Sequence, residues 1–111
     1  MLKKKYRLPI QAMLGKKGQT LKTSFLSLKI FPSNLSYSRF GAVISKKVAA
    51  KATARNKLRR IIFSAIEPYF GEEKKFFIDK RDFLVIIYPA VKDLSREEIK
   101  MHLREIFDKL K

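Results

Sequence analysis

Three stretches of the chain carry the hydrophobic patterns of β-strands. The first covers residues 23–31. Its two faces are Leu26, Leu28 and Ile30 on one side, and Phe25, Ser27, Lys29 and Phe31 on the other. The second covers residues 38–47, where an apolar centre at 42–44 indicates burial on both faces. The third is a short buried run at 83–88, which Pro89 halts.

A helical period marks the segment 53–70, the strongest helix pattern in the chain. Its apolar stripe consists of Leu58, Ile61, Ile62, Ala65, Ile66 and Tyr69. Thr53 is the predicted N-cap, and Pro68 is expected to kink or shorten the last turn.

Two further helices are predicted near the ends of the chain. A short opening helix begins near Leu8 and is limited by Pro9, Gly15 and Gly18. A closing helix starts with a capping box from Ser95 to Glu98. The apolar face of this closing helix is formed by Ile99, Leu103, Ile106, Phe107 and Leu110. The element order is therefore α-β-β-α-β-α, which indicates an α+β sandwich.

Length and composition are consistent with one folded domain over residues 1–111. The chain has 111 residues and is 46% hydrophobic, which is enough to bury a core without metal or disulfide crosslinks. It has no cysteine and one histidine, His102. Disulfide frameworks, thiol nucleophiles, cysteine zinc sites and histidine-containing triads are thereby excluded. The charged start of the chain has no signal-peptide apolar stretch behind it, so we expect a mature protein of a reducing cytoplasm.

Positive charge is concentrated in the first part of the chain. The formal net charge is +16, and 16 Lys and Arg residues precede the first acidic residue, Glu67. Such an excess predicts a surface for an extended polyanion, either nucleic acid or an anionic membrane. No 18-residue apolar run is present, so no span of a bilayer is expected. Residues 1–7 are expected to form either a flexible basic arm or a solvated terminus.

The densest cationic segment is 46–60, which leads into the long helix. It contains no acidic residue, and its seven cations are Lys46, Lys47, Lys51, Arg55, Lys57, Arg59 and Arg60. Cations are unfavourable near a helix N-terminus unless an anion binds there, and the free backbone N–H groups of that terminus bind phosphate. Asn56 adds an amide that suits a 2′-hydroxyl or a base edge. A merely solvated helix face is the alternative, and the lack of acids for i, i+4 pairing counts against it.

Other candidate chemistry in the sequence is weaker. Phe25 and Phe63 are the favoured candidates for base stacking because cations share their flanks, although most aromatic residues are expected in the core. The paired carboxylates lie beside lysines or in a helix's first turn, where solubility and capping explain them. His102 falls at the edge of an apolar stripe, which is typical of packing. These residues do not indicate catalysis by protein side chains.

Residues 38–66, SRFGAVISKKVAAKATARNKLRRIIFSAI, resemble the protein subunit of bacterial ribonuclease P. That family has a strand ending in Ser-Lys-Lys, a link of small residues, and an Arg-Asn-Arg motif opening a long helix. Here the motif reads Arg55, Asn56, Lys57, so that its third position keeps the charge and loses the bidentate fork of arginine. The opening helix also lacks the family's aromatic residues ahead of a glycine.

This resemblance implies a left-handed β-α-β crossover, as in domain 2 of ribosomal protein S5. It implies a cytoplasmic protein that binds a catalytic RNA as a monomer and that does not associate with a membrane. The RNA, with Mg²⁺ that it mainly holds itself, would hydrolyse the phosphodiester joining the 5′ leader to precursor tRNA. The residues implied in binding the catalytic RNA are Lys46, Lys47, Lys51, Arg55, Asn56, Lys57, Arg59 and Arg60. A cleft between the long helix and one face of the first strand would hold the single-stranded leader, with Phe25 and Phe63 as candidates.

Three other functions fit parts of the sequence. A ribosomal or other structured-RNA-binding protein without an enzymatic assembly is the first alternative, on composition alone. A basic DNA-binding module is the second, although the long helix has no helix-turn-helix partner. A nuclease that acts without RNA is the third and has the least support.

Overall fold

A four-stranded sheet and two helices form the described part of the computed structural model, which covers residues 7–8, 18–32, 38–69 and 81–109. The strands are β1 (Gln19–Lys22), β2 (Leu26–Pro32), β3 (Arg39–Val43) and β4 (Arg81–Ile87), and the helices are α1 (Ala52–Ile66) and α2 (Arg96–Asp108). The strand order is β1-β2-β4-β3. The predicted α+β class is confirmed. The predicted opening helix lies almost entirely outside the described residues.

A hairpin of β1 and β2 replaces the single strand predicted over residues 23–31. The chain bends at 23–25, where the Thr23 hydroxyl oxygen accepts hydrogen bonds from the backbone N–H groups of Phe25 and Leu26, at 3.1 and 3.2 Å. This local turn competes with strand pairing, so β2 begins three residues later than predicted. Gly18, just before β1, lies so close to β2 that a Cβ would collide with the Ile30 carbonyl oxygen and the Phe31 ring.

A parallel crossover joins β3 to β4 through α1. Strand β3 pairs with β4 in parallel, whereas β2 pairs with β4 antiparallel. The strand predicted over 38–47 ends at Val43, because residues 46–48 turn back and Val48 inserts into the core with 2% exposure. Arg7, the last residue of the predicted N-terminal arm, forms a parallel bridge with Phe40. Residues 1–6 of that arm lie outside the described part.

The two helices agree with their predicted apolar stripes but differ at their ends. Thr53 is not the N-cap of α1: the N-cap is Lys51, and it makes no side-chain capping hydrogen bond. Helix α1 ends at Ile66, and residues Glu67–Tyr69 tighten into a 3₁₀ turn containing Pro68. In α2 the predicted capping box is present, with Ser95 and Glu98 bonded reciprocally at 3.2 and 3.0 Å.

Both helices contribute to a core on one face of the sheet, which we call the helix face. The largest fully buried side chains of this core are Phe40, Phe83, Phe107, Leu28, Ile62, Ile66, Leu103, Val48 and Val85. A smaller cluster on the opposite face, the second face, contains Leu8, Phe31 and Leu84, with half-buried Val43 packed against it. The space between α1 and the sheet is thus filled by side chains. The expected leader cleft cannot lie there, because that close packing leaves no room for an RNA strand.

Candidate nucleic-acid interface

The cationic segment 46–60 forms a surface around the start of α1, which we call the α1 patch. Lys46 and Lys47 are exposed in the turn after β3, and Lys51 is exposed at the N-cap. Because Val48 is buried between them, the two lysine groups are held at a fixed position relative to the sheet. The segment between β3 and α1, residues 44–51, is therefore a rigid link that presents positive charge.

Arg55 connects this link to the helix. Its Nη1 atom donates to the carbonyl oxygens of Ala49 and Ala50, at 3.0 and 2.8 Å. These carbonyls precede the helix, so the guanidinium holds the link against the first turn. Arg55 is half-buried, in contrast to its neighbours Asn56 and Lys57, which are exposed. One nitrogen of Arg55 thus has a structural role within the predicted RNA-binding set.

Asn56 and Arg59 form a second unit on the α1 patch. The Arg59 Nη1 donates to the Asn56 Oδ1 at 3.2 Å. This bond orients both planar groups together, so that the Asn56 amide nitrogen and the rest of the Arg59 fork face outwards as donors. The pair combines a neutral and a charged donor, which suits a ribose-phosphate backbone.

The electrostatics of the α1 start favour an anion. The first turn contains no acidic residue and no capping side chain. The first helical hydrogen bond runs from the Arg55 N–H to the Lys51 carbonyl, so the N–H groups before it have no intrahelical acceptor. An anion at this position would be attracted by those N–H groups, by the partial positive charge of the helix end and by the surrounding cations.

The two aromatic candidates for the leader cleft lie elsewhere than expected. Phe63 is only 6% exposed, and its ring packs edge-on against Phe40 with centroids 5.7 Å apart. Phe25 is half-buried in the β1–β2 turn and packs on His102 of α2, with centroids 4.9 Å apart. Both rings belong to the helix face. Phe63 therefore offers almost no surface to a base, and Phe25 does not stand over the second face.

Strand pairing brings together a row of residues that the sequence did not single out. The register aligns Lys22, Ser27, Ile86 and Val43 across all four strands of the second face. Lys22 is exposed, while Ile86 and Val43 are half-buried. Lys29 stands in the adjacent row. This row ends at the carboxyl end of β3, where the chain continues into Lys46 and Lys47 of the α1 patch.

Three carboxylates of the described residues, those of Asp82, Glu98 and Asp108, have structural partners. Asp82 is 2% exposed and accepts two hydrogen bonds from Arg39, from Nε at 3.1 Å and from Nη2 at 2.9 Å. Hydrogen bonds from the Ser95 backbone and hydroxyl hold the pKa of Glu98 below its usual value. Burial, followed by the hydrogen bond to Asp108, raises the pKa of Tyr69 to about 12. Glu72, Glu73 and Asp79 lie outside the described residues.

The described residues contain neither a cluster of metal ligands nor a membrane-spanning helix. Within residues 7–8, 18–32, 38–69 and 81–109, no three His, Asp or Glu side chains meet in a group that could hold a metal ion. Over those residues no helix combines the length and the apolar character needed to cross a bilayer.

The α+β fold and the cationic α1 patch are the features of a small basic protein of the RNA-binding class. A comparison with family models gives a more specific result. The family model described as Ribonuclease P matches residues 2–111, and the chain belongs to this family. Ribonuclease P is an endoribonuclease ribonucleoprotein of tRNA 5′ processing, which confirms the inferred family and activity.

Curated relatives carry the name ribonuclease P protein component. The relative from a Pseudanabaena species is 31% identical over 96 residues, which are 86% of this chain and 79% of the relative. The relative from Bacillus velezensis is 35% identical over 71 residues, 64% of this chain and 56% of the relative. These matches favour the ribonuclease P assignment over the ribosomal alternative.

Two solved structures are similar in fold. A Staphylococcus aureus RNase P protein mutant with defective mRNA degradation activity has a TM-score of 0.74 at 24% identity, over 93% of this chain and 88% of that one. The Thermotoga maritima RNase P protein in complex with 1-(4-fluorophenyl)-2-thiourea has a TM-score of 0.76 at 22% identity, over 95% and 100%. The backbone fold is therefore shared at low sequence identity.

Proposed function

We propose that this chain binds the catalytic RNA of ribonuclease P through the α1 patch and assists RNA-catalysed maturation of the tRNA 5′ end. The observation that carries this proposal is the cationic start of α1, where Arg55 holds the preceding link and the uncapped helix end lies beside the exposed Asn56–Arg59 pair. Its proposed RNA-binding residues are Lys46, Lys47, Lys51, Arg55, Asn56, Lys57, Arg59 and Arg60. The protein acts as one domain, as a monomer on the RNA, in the cytoplasm.

The second face of the sheet is the proposed site of the single-stranded 5′ leader of precursor tRNA. Lys22 and Lys29 would neutralise leader phosphates, while Ile86 and Val43 offer an apolar floor for bases. The row leads directly to Lys46 and Lys47, so a leader lying on it would approach the catalytic RNA bound at the α1 patch. Phe25 and Phe63 are left out of this proposal because both rings pack on the helix face.

The protein's contribution to catalysis is binding and orientation. When bound by the RNA, Mg²⁺ would supply activation of a water molecule and stabilisation of the negative charge that develops during hydrolysis. The side chains of this chain hold the two RNA molecules together and reduce repulsion between their phosphates. This is catalysis by positioning, in which neither cleavage nor proton transfer requires a protein group.

Cleavage of a 5′-extended precursor tRNA tests the proposal. The assay uses a bacterial ribonuclease P RNA at low magnesium, with and without the full chain. We expect protein-dependent cleavage at the mature 5′ end and no cleavage by the protein alone. Tight, salt-sensitive RNA binding without stimulation would contradict the proposal and favour a structured-RNA-binding protein without enzymatic assembly.

A further inference from the structure

A groove of about 450 Å³ runs between α1 and α2 on the solvent side of the helix layer. Lys57, Arg60 and Ser64 line it from α1, and Arg96 and Lys100 line it from α2. Ile61 is its apolar lining residue. The groove brings cations of α2, a helix from the charge-balanced part of the sequence, next to those of the α1 patch.

The lining of the groove has one sign of charge. Among the described residues that line it, the four charged side chains are all cationic and none is a carboxylate. Lys57 and Arg60 are three residues apart on α1, while Arg96 and Lys100 are four apart on α2. Like charges at these spacings destabilise a helix, so folding alone gives no reason for the arrangement. A bound anion would convert this repulsion into attraction.

One nearby acid, Glu98, is engaged elsewhere. It belongs to the capping box, where its carboxylate accepts from the Ser95 N–H. Within the described residues, neither the Arg96 side chain nor the Lys100 side chain has a hydrogen bond or ion pair with another protein group. Arg96 also stands in the first turn of α2, where a cation opposes the helix dipole. These cations are therefore available for an external anion.

The shape and position of the groove favour a polymer over a small molecule. Its volume is within the range of small-ligand sites, but Ile61 is the single apolar side chain among its lining residues, so a base would have little to stack on. The groove is also continuous with the α1 patch, because Lys57 and Arg60 belong to both. An RNA backbone that lies on the patch can continue across it onto α2.

We propose that the groove between α1 and α2 binds phosphodiester groups of the catalytic RNA, with Arg96 and Lys100 as RNA-binding residues. This inference rests on the proposed function and extends its RNA surface to a helix outside the ribonuclease P motif. The phosphates would lie between the two helices, held by Lys57 and Arg60 on one side and by Arg96 and Lys100 on the other. The hydroxyls of Thr53 and Ser64 add neutral donors.

A pair of double variants with equal charge change tests the groove. Arg96→Gln/Lys100→Gln removes two groove cations, and Lys92→Gln/Lys109→Gln removes two exposed cations that do not line it. We expect the groove variant to weaken binding of the catalytic RNA by roughly tenfold or more at physiological salt. The slope of log K against log salt should fall by up to about 1.8, and the control should change binding less than about twofold.

Thermal melting separates binding from folding in the same variants. Removing the first-turn cation Arg96 together with its i, i+4 partner Lys100 should leave the melting temperature unchanged or raise it. A lowered melting temperature with an unchanged salt slope would show that Arg96 and Lys100 are structural, and would overturn the proposal.

A thiol probe gives a second readout that keeps all four cations. Because the chain has no cysteine, Ser64→Cys places a single thiol in the groove, and Ser24→Cys places one in the β1–β2 turn as a control. Catalytic RNA should protect the thiol at 64 from alkylation and not the thiol at 24. Equal reactivity with and without RNA would overturn the proposal. Protection by adenosine monophosphate alone, at concentrations where RNA does not protect, would assign the groove to a small phosphate ligand instead.

The cleavage assay distinguishes failure of this inference from failure of the proposed function. If the wild-type chain stimulates cleavage while the groove variant binds RNA like its control, only the groove assignment is wrong. If the wild-type chain does not stimulate cleavage, the proposed function is wrong. Wild-type stimulation together with selective loss of binding in the groove variant supports both.

Discussion

Individual cations of the α1 patch differ in what they contact, although the sequence presents them as one run. Arg55 donates to two carbonyls of the link, Arg59 donates to Asn56, and Lys57 faces the groove shared with α2. The cations therefore have two roles. Arg55 holds the link in place, whereas Arg59 and Lys57 remain available to an anionic partner.

Substitution of Arg55 should reveal its structural share. We expect Arg55→Ala to lower the free energy of unfolding by about 1–2 kcal/mol, because two backbone carbonyls lose a charged donor. Lys57→Ala is the matched control and should change stability by less than about 0.5 kcal/mol. Urea denaturation of both variants measures the difference. Equal stability of the two would show that the Arg55 hydrogen bonds contribute nothing.

At the scale of elements, the two helices begin by different means. Helix α2 has a complete capping box, whereas α1 starts at Lys51 without a side-chain cap. The uncapped start is the one surrounded by cations. Its free N–H groups are therefore available to an RNA phosphate. At the start of α2, by contrast, the capping side chain of the protein itself accepts a backbone N–H.

Removal of the two hydroxyls at the helix starts should have unequal effects. Ser95→Ala breaks the capping box and should cost about 1 kcal/mol of stability. Thr53→Ala removes the hydroxyl that the sequence marks as a cap, and should cost less than about 0.5 kcal/mol because this residue caps nothing. Chemical denaturation measures both. A larger loss for Thr53→Ala would mean that its hydroxyl stabilises the start of α1 after all.

The end of α1 is tied to α2 by Tyr69, and this contact predicts a pH dependence. The Tyr69 hydroxyl donates to the Asp108 carboxylate at 2.6 Å, and the pKa of the hydroxyl is raised to about 12 from 10.0. Above pH 10 the unfolded chain loses this proton while the folded chain keeps it. The stabilisation is thus complete below pH 10 and declines as pH rises towards 12.

Tyr69→Phe isolates that effect from the titration of other groups. Between pH 9 and 12 the variant should lose less stability than the wild type, as measured by urea denaturation at each pH. Parallel pH profiles for the two proteins would contradict the raised pKa.

At the scale of the whole molecule, the sheet separates the two surfaces proposed to bind RNA. The helix face is filled by the core, and the α1 patch and groove lie on the solvent side of that layer. The second face carries Lys22 and Lys29 on the other side of the sheet. If the proposed assignments hold, the catalytic RNA and the leader would bind at the same time without competing for one surface.

Two double variants should separate those surfaces. Lys22→Gln/Lys29→Gln should weaken binding of leader-bearing precursor tRNA to the assembled enzyme by about tenfold and leave mature tRNA binding unchanged. Arg96→Gln/Lys100→Gln should weaken assembly with the catalytic RNA. Once assembly is saturated, this variant should change the affinities for mature and precursor tRNA by the same factor. Binding titrations of the two tRNAs provide the comparison. An equal effect of the lysine variant on both tRNAs would show that the leader does not bind the second face.

Local patterns in the sequence predicted much of the fold and part of the site. The apolar stripe of α1, the capping box of α2 and the buried strand at β4 are confirmed, since each depends on residues close in sequence. The single strand predicted over residues 23–31 was wrong, because a side-chain turn at Thr23 interrupts a regular alternation and the chain forms a hairpin there. The N-cap was wrong because Arg55 and the link define the helix start instead.

The sequence by itself determined the class, the charge and the cationic start of α1, because these follow from composition and short-range periodicity. Only the tertiary structure decided which surfaces face a ligand. Packing buried Phe63, strand register aligned Lys22 with Val43, and the α1–α2 contact brought Arg96 and Lys100 beside Lys57. Such pairings join residues tens of positions apart. They are selected by the burial of apolar surface over the whole chain, which no local pattern records.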